Sequence, residues 1–373
     1  MGMFSSKDRN VGQIMVRYRA ALAALLVVAA CGGNPFIAED DDGTPLDPED
    51  PNTSVNSKFA WDPEKSLTMN AVTYDRANNQ LVINNLPFDG PEGRYDNRFT
   101  MSNGARVYES RQTATTGLVK HYAVFIESDA MQATAAAGAN WIQYGNAGAN
   151  INRSSFSLPT GVGEYVYVGS YAANRTFDER SGIELVSGDV ELLVDVLDFD
   201  PVEGIQGDIV GTVTNRTRVS LLNGSDGRDL PDIVLAEVSF NNANGTFDDG
   251  TVSTFSPLDG DEWSTGTYSG LFAGTQGQEI GGYLVMEGTA DIQVVTYETV
   301  RYETADGIFT ATGLETVDRE TLQARINAGQ TLPSFLAAQI PTGATVLSTE
   351  VSAIEISTDY NAREIGVFIG EQR

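Results

Sequence analysis

The sequence predicts an all-β protein: an eight-stranded antiparallel β-barrel, preceded by a small β-rich domain, with a short helical segment near the C-terminus. Three observations support this fold class. The 373 residues include 38 glycines, which indicates many turns. Several runs alternate apolar and polar residues with a period of two, which is typical of half-buried strands. Gly, Asn or Asp bounds these runs, as hairpin turns require.

Changes in composition divide the chain into five segments. Proline and glycine in "SLPTGVG" interrupt the strand pattern and separate the two β-rich parts. The predicted segments are a leader (1–30), an acidic tether (31–57), a small β-rich domain (58–160), the barrel (161–312), and a helical segment with terminal strands (313–373).

The leader has the features of a secretory signal. Basic residues precede an apolar stretch, 20–30, that is too short to span a bilayer. This stretch leads into "VAAC", which ends at Cys31, the single cysteine. "VAAC" resembles the bacterial lipobox, and the resemblance implies that Cys31 is acylated and anchors the protein in a membrane. The alternative is a buried thiol behind an ordinary signal peptide. Gly32 favours the outer membrane, because an aspartate there would retain a lipoprotein at the inner one.

The chain is strongly acidic, with 23 Lys+Arg against 51 Asp+Glu. Without the leader, which holds four basic residues and one acidic residue, the net charge becomes −31. Such a surface repels phosphate backbones, so we expect no nucleic-acid partner. A cationic partner would instead be attracted by it. The alternative is that most of these charges serve solubility alone. The tether concentrates Pro, Asp and Glu, which predicts an extended linker.

In the small β-rich domain, residues 66–88 predict two strands joined by the turn Asp75–Gln80. Residues 121–128 and 140–147 predict two more strands. The alanine-rich stretch between them, 131–139, is interpreted as a short helical turn or a flexible connection.

The barrel is predicted from about eight alternating runs between residues 163 and 311, enough strands to close a barrel filled by its own side chains. The run 189–199 predicts an inward apolar row, and the run 232–240 predicts another. These rows are Val190, Leu192, Val194 and Val196 in the first, and Val234, Ala236, Val238 and Phe240 in the second.

After residue 312 the pattern becomes helical. Asp318 is a candidate helix cap and Gly329 a stop signal, so a helix is predicted over 317–329. A second short helix is predicted with Pro333 at its first position. Residues 349–370 are strand-like again, and the sequence leaves open whether they join the barrel or the first domain.

Two glycine-rich strands, "TYSGLFAG" and "EIGGYLVMEG", flank the turn Thr275–Gln278. This hairpin resembles the signature of the barrel lobe of transferrin-binding protein B and related lipoproteins, with four departures: Ala273 replaces an aromatic residue, Thr275 a proline and Gly277 an alanine, and the final aromatic, Tyr283, stands one place early. The matching residues are Gly270, Phe272, Gly274, Glu279, Ile280, Gly281 and Gly282. The resemblance implies a β-barrel and does not identify a ligand. The motif residues are interpreted as structural, the alternative being contact with a ligand. The glycines at 281 and 282 allow a bend, and Glu279 is expected to bond to backbone groups near it.

Catalytic and metal chemistry have little support. The chain has one histidine, His121, and no glycine-flanked serine elbow, so we expect no enzyme, no zinc site and no cofactor. One weak calcium candidate is formed by Asn223, Asp226, Asp229 and Asp232; the alternative for this stretch is a plain hairpin loop.

These observations predict a non-catalytic lipoprotein of the outer membrane that captures an unknown protein or small nutrient for an outer-membrane importer. The sequence leaves open whether it faces the cell surface or the periplasm. Tyrosines supply rigid contact area if some of them are exposed, and the candidates are Tyr165, Tyr167, Tyr171 and Tyr268; the alternative role of these residues is packing within the strands. The alternative function is an envelope scaffold without cargo.

Overall fold

The computed structural model describes residues 51–111, 120–138, 143–178, 182–200, 204–255, 260–290, 292–318, 340–357 and 361–373. Within these ranges all regular structure is strand, apart from three single-turn 3-10 segments at Pro51–Thr53, Pro63–Lys65 and Pro91–Gly93. None of the helical segments in these ranges is long and apolar enough to cross a membrane. The all-β prediction is therefore confirmed.

Eight antiparallel strands near the N-terminus form one curled sheet, which we call the half-barrel. In chain order they are β1 (Ser57–Phe59), β2 (Ala71–Asp75), β3 (Gln80–Asn84), β4 (Arg94–Thr100), β5 (Arg106–Ser110), β6 (His121–Glu127), β7 (Met131–Gly138) and β8 (Ala147–Arg153). The order across the sheet is β1-β8-β7-β6-β5-β4-β3-β2. The hairpin predicted at Asp75–Gln80 and the strand predicted at His121 are confirmed.

Two interpretations of the half-barrel were wrong. Met131–Gly138 is strand β7, paired with β6 and β8, rather than a helical turn or a connection. Ala133, Ala135 and Ala137 have no exposed surface, because they lie against a neighbouring sheet. Small side chains let two sheets approach closely, and this packing overrides the helix propensity of alanine. The strand predicted over 140–147 instead covers Ala147–Arg153, while residues 139–142 lie outside the described part.

Eight further strands close into a barrel. They are β9 (Gly163–Phe177), β10 (Ile183–Asp200), β11 (Gly204–Val219), β13 (Ile233–Asn241), β14 (Thr246–Phe255), β15 (Glu262–Ala273), β16 (Glu279–Thr289) and β20 (Asn361–Gln372). Pairing between β10 and β11 completes the ring, and short β12 (Asp226–Asp229) pairs with β11. The prediction of an eight-stranded antiparallel barrel is confirmed, but the prediction that all its strands lie between residues 163 and 311 was wrong, because only seven of them do.

The barrel is filled by its own side chains. Val190, Leu192, Val194 and Val196 point inward as predicted and are almost fully buried. Tyr167, Tyr171 and Tyr268 also lie in this core, with no exposed surface. For these three tyrosines the packing alternative is confirmed and a contact with ligand is excluded, and of the four only Tyr165 is half-exposed.

The apolar row predicted on β13 is wrong in the first half of the strand and confirmed in the second half. Ile233 and Leu235 are buried in the first half of the strand, whereas Val234 is 39% exposed. Val238 and Phe240 face the core in the second half. The pairing of β11 with β13 shifts register between Ile209 and Gly211, and the extra residue in such a bulge exchanges the two faces of the strand.

The barrel's eighth strand comes from the C-terminal part of the chain, because β20 lies between β9 and β16. The segment between β16 and β20 includes a separate three-stranded sheet, which we call the arm: β17 (Ile292–Thr304), β18 (Gly307–Asp318) and β19 (Thr345–Ser357). Val317 and Asp318 end β18, where they pair with β17, so Asp318 is a strand residue and not a helix cap. The rest of both predicted helices, 319–339, lies outside the described residues.

The half-barrel packs against the outer wall of the barrel. One apolar cluster combines half-barrel residues, among them Val107 and Val124, with barrel residues such as Leu271 and Val367. Two buried polar side chains connect the same parts. The carboxylate of Glu279 accepts hydrogen bonds from the Ser128 hydroxyl and from the Ala130 N–H (3.2 Å).

The second connection is Arg153 at the end of β8. Its guanidinium donates to the carbonyl oxygens of Phe272 (2.8 Å), Val55 (2.7 Å) and Asn244 (2.7 Å). Because Phe272 and Asn244 belong to the barrel side and Val55 precedes β1, one cation ties both parts together. Burial lowers the pKa of Arg153 to about 10.

Two motif glycines are required by geometry. Gly274 has a φ of +87° in the turn after β15, a conformation that favours glycine. At Gly282, a β-carbon would lie 2.3 Å from Cζ of Phe368 and 2.7 Å from the backbone oxygen of Ser269. The motif therefore marks places where the barrel wall leaves no room for a side chain.

Replacing Gly282 with alanine is expected to lower the free energy of unfolding by about 1–3 kcal/mol, since the added methyl overpacks a filled core. Equilibrium denaturation in urea measures this change. Phe368→Leu removes the ring atom nearest to the new methyl, so adding it to Gly282→Ala is expected to restore part of the loss. Strictly additive effects of the two substitutions would contradict this account.

Candidate functional site

An open groove lies between the N-terminal edge of the half-barrel and the outer wall of the barrel. Its floor is the outward face of β15 and β16, on which cross-strand neighbours stand side by side. These neighbours are Thr265 with Glu287, Thr267 with Val285, and Ser269 with Tyr283. The same outward face continues under the half-barrel, where Leu271 is buried. The groove is thus the uncovered continuation of the surface on which the two parts pack.

A short, well-braced loop forms the opposite wall. Trp61 follows β1, and Asp62 caps the 3-10 turn Pro63–Lys65 by accepting from the N–H groups of Glu64 (3.1 Å) and Lys65 (3.3 Å). Arg363 on β20 donates to the carbonyl oxygen of Lys65 (2.7 Å) and to Glu287 (2.8 Å). This arginine therefore holds the wall at a fixed distance from the floor.

The closed end of the groove is formed by Tyr283 and Asp249. The Tyr283 hydroxyl donates to the carbonyl oxygen of Phe59 (3.0 Å). Burial raises the pKa of Tyr283 to about 12, and the nearby charges of Asp248 and Asp249 act in the same direction. Asp249 has a φ of +60°, and its N–H donates to the Ser269 hydroxyl (3.2 Å), which fixes its backbone at the rim.

The groove has the size and the surface of a small-molecule site. Its volume is about 510 Å³. Binding clefts for small ligands typically measure about 300–1,000 Å³ and combine apolar walls with a few polar groups. Here Trp61, Val285 and Tyr283 supply apolar area, threonine hydroxyls line the floor, and carboxylates stand at the rim. The arrangement can hold a ligand.

A second polar cluster lies inside the barrel and is much smaller. Both Glu364 oxygens accept from Arg216 (2.6 and 2.5 Å), and one accepts from the Tyr171 hydroxyl (2.5 Å). Arg175 lies 3.5 Å from the same carboxylate and 3.0 Å from Glu184. The adjoining cavity measures about 20 Å³, room for about one water molecule. This cluster has a structural role.

The residues predicted from the motif lie in the wall of the barrel and not in the groove. Phe272 and Ile280 are in the barrel core, Glu279 binds the half-barrel, and the glycines serve close packing. Glu279 does bond to a backbone N–H, as predicted, but the partner belongs to the neighbouring sheet. Cys31 lies outside the described residues.

The calcium candidates are spread over a turn and a short strand. Asn223 accepts from Ser225 in the turn, Asp226 and Asp229 lie on β12, and Asp226 accepts from Ser102 (3.2 Å). Asp232 follows β12, and burial raises its pKa. In the part of the chain that the structure describes, no three His, Cys, Asp or Glu residues form a group that could hold a metal.

His121 is buried in the half-barrel beside Gly138, and burial lowers its pKa to about 4. It is therefore neutral at ordinary pH. Its strand, β6, is separated by β7 and β8 from β1, the strand that leads into the wall of the groove. Comparison of the whole chain with protein-family models, with curated proteins and with solved structures found no match.

Sequence reasoning missed the groove. Its floor comes from residues 265–287, its wall from 60–67 and its brace from Arg363, and no local pattern joins these segments. The one available signal was Trp61, an indole placed immediately after a short strand and before a capped turn.

Proposed function

We propose that the protein is a non-catalytic binding module that captures a small ligand in the groove between half-barrel and barrel, and that acyl chains on Cys31 anchor it to the outer membrane. The resemblance of the β15–β16 hairpin to transferrin-binding-protein-B-like lipoproteins supports this type of module. The groove itself is the observation on which the proposal depends. It is large enough for a small ligand, its wall is held in place by hydrogen bonds, and both apolar and polar side chains line it.

The packing of the two parts supports a preformed site. Arg153, Glu279 and Arg363 each connect the half-barrel side to the barrel, and Lys58 pairs with Asp248 beside the groove. A rigid site loses little conformational freedom when a ligand binds, which favours affinity. Delivery of the ligand to an outer-membrane importer is the corresponding role of the module.

Thr267→Trp is expected to abolish ligand retention, because Thr267 is exposed at the centre of the floor and an indole there fills the groove. The purified full-length protein is dialysed against a small-molecule extract of the source cells and desalted, and the released compounds are identified by mass spectrometry. Wild type is expected to retain a compound that the variant loses.

Thr212→Trp is the matched control, since Thr212 is also an exposed barrel threonine but lies on β11, outside the groove. It is expected to retain the compound. Equal retention by Thr267→Trp and wild type would contradict the proposed site.

The second candidate function is an envelope scaffold, and the arm favours it. Four large apolar side chains are exposed near the distal end of the arm: Ile308, Phe309, Val346 and Leu347. Exposed apolar area of this kind is typical of protein contacts. Failure of the wild-type protein to retain any small molecule would favour the scaffold over the binding module.

A further inference from the structure

We propose that the groove selects a small organic cation, with an ammonium group held between the Asp249 carboxylate and the Trp61 indole. This inference rests on the proposed function and names the chemical class of its ligand. It follows from which charged groups in the groove already have partners and which do not.

Asp249 is the groove carboxylate that remains uncompensated. The Asp62 carboxylate caps the 3-10 turn and lies 3.8 Å from the Lys65 ammonium. Glu287 binds Arg363 at 2.8 Å. Asp248 pairs with Lys58. By contrast, the carboxylate of Asp249 has no hydrogen bond or ion pair to any residue that the structure describes.

The surroundings of Asp249 strengthen its preference for a cation. Three carboxylates and one ammonium line the groove, so its own charge is negative. The whole chain carries −28, and a field of this sign raises the local concentration of cations in a cleft. An anionic ligand would be repelled both by the Asp249 carboxylate and by this negative field.

Trp61 adds the second contact. Its indole is half-buried in the wall of the groove and makes no ring contact or hydrogen bond with the described residues. Tryptophan is the aromatic side chain that attracts ammonium groups most strongly over its face. The floor then supplies hydroxyl groups, at Thr265 and Thr267, to polar atoms elsewhere on the ligand.

The test compares choline with 3,3-dimethyl-1-butanol, which has the same shape without the charge. Each is titrated into the purified full-length protein while tryptophan fluorescence is followed, and calorimetry gives Kd. Choline is expected to bind at least about tenfold more tightly than the alcohol, to quench Trp61, and to weaken as salt is raised.

Asp249→Asn and Trp61→Leu are each expected to weaken choline binding about tenfold. Glu191→Gln, which removes an exposed carboxylate from β10 on another part of the barrel, is the control and is expected to leave Kd unchanged. Circular dichroism and unchanged melting temperatures confirm that the variants fold.

Equal affinity for choline and the alcohol, no choline binding, or equal effects of Asp249→Asn and Glu191→Gln would overturn the proposed ligand class. The proposed function has a separate readout: if Thr267→Trp still abolishes retention of a neutral compound, the groove is a binding site and only the charge preference is wrong.

Discussion

Replacing Glu364 with glutamine is expected to lower the free energy of unfolding by about 3–5 kcal/mol, because it leaves Arg216 as a buried cation without its counter-charge. Both side chains are 2% exposed, and the pair is joined by hydrogen bonds of 2.6 and 2.5 Å. Glutamine keeps the volume of the side chain, so the change removes charge rather than packing. Equilibrium unfolding followed by circular dichroism measures the loss.

Glu371→Gln is the control, since Glu371 lies on the same strand but is exposed, and it is expected to change stability by less than about 0.5 kcal/mol. The double variant Arg216→Met, Glu364→Met removes both charges and is expected to be more stable than Glu364→Gln alone. A double variant that is less stable than Glu364→Gln would contradict a penalty due to the unpaired charge.

Asp89→Asn is expected to stabilise the protein above pH 7 and to have little effect at pH 4. Asp89 is buried, and burial raises its pKa from 3.8 to about 7, although a hydrogen bond from the Tyr95 hydroxyl (3.1 Å) acts against this rise. A carboxyl group whose pKa is raised on folding contributes stability that is complete below pH 3.8 and is lost as the pH rises to about 7. The variant avoids this loss, which is on the order of 4 kcal/mol at pH 8.

Urea denaturation of wild type and variant at pH 4, 6 and 8 measures the difference. His121 titrates in the opposite sense, since its pKa is lowered to about 4 and its contribution falls as the pH drops below 6.5, but it is present in both proteins and cancels. Asp129→Asn, which removes a carboxylate at an exposed position, is the matched control in the same measurements. An Asp89→Asn effect that is equal at pH 4 and pH 8 would exclude a buried, protonated Asp89.

Strand positions were predictable from sequence where alternation was strict. The row from Val190 to Val196 faces the barrel core as expected, because a regular strand with one face buried must alternate. At β13 the predicted row was wrong up to Leu235 and right from Val238 onward, since a single bulge exchanges the faces and leaves no clear mark in composition. At β7 it failed because alanine fits both a helix and a tightly packed sheet.

Residues that act through tertiary contacts were the least predictable. Glu279 was identified from the hairpin motif, but its partners, Ser128 and Ala130, lie about 150 residues earlier in the chain. The spacing of the tyrosines fits two arrangements equally well. Their rings can be exposed as a contact surface, or they can be buried with an acceptor for the hydroxyl nearby. The groove depends on the relative positions of two sheets, which no window of sequence encodes.

The place of β20 between β9 and β16 has a consequence for biosynthesis. A nascent chain can pair the half-barrel strands early, but the ring stays open until residues 361–372 have been translated. Until then β9 and β16 expose unpaired backbone that invites association with other chains. The open ring is therefore the stage of folding at which we expect this chain to be most prone to association, and a chaperone that binds extended strands would protect it there.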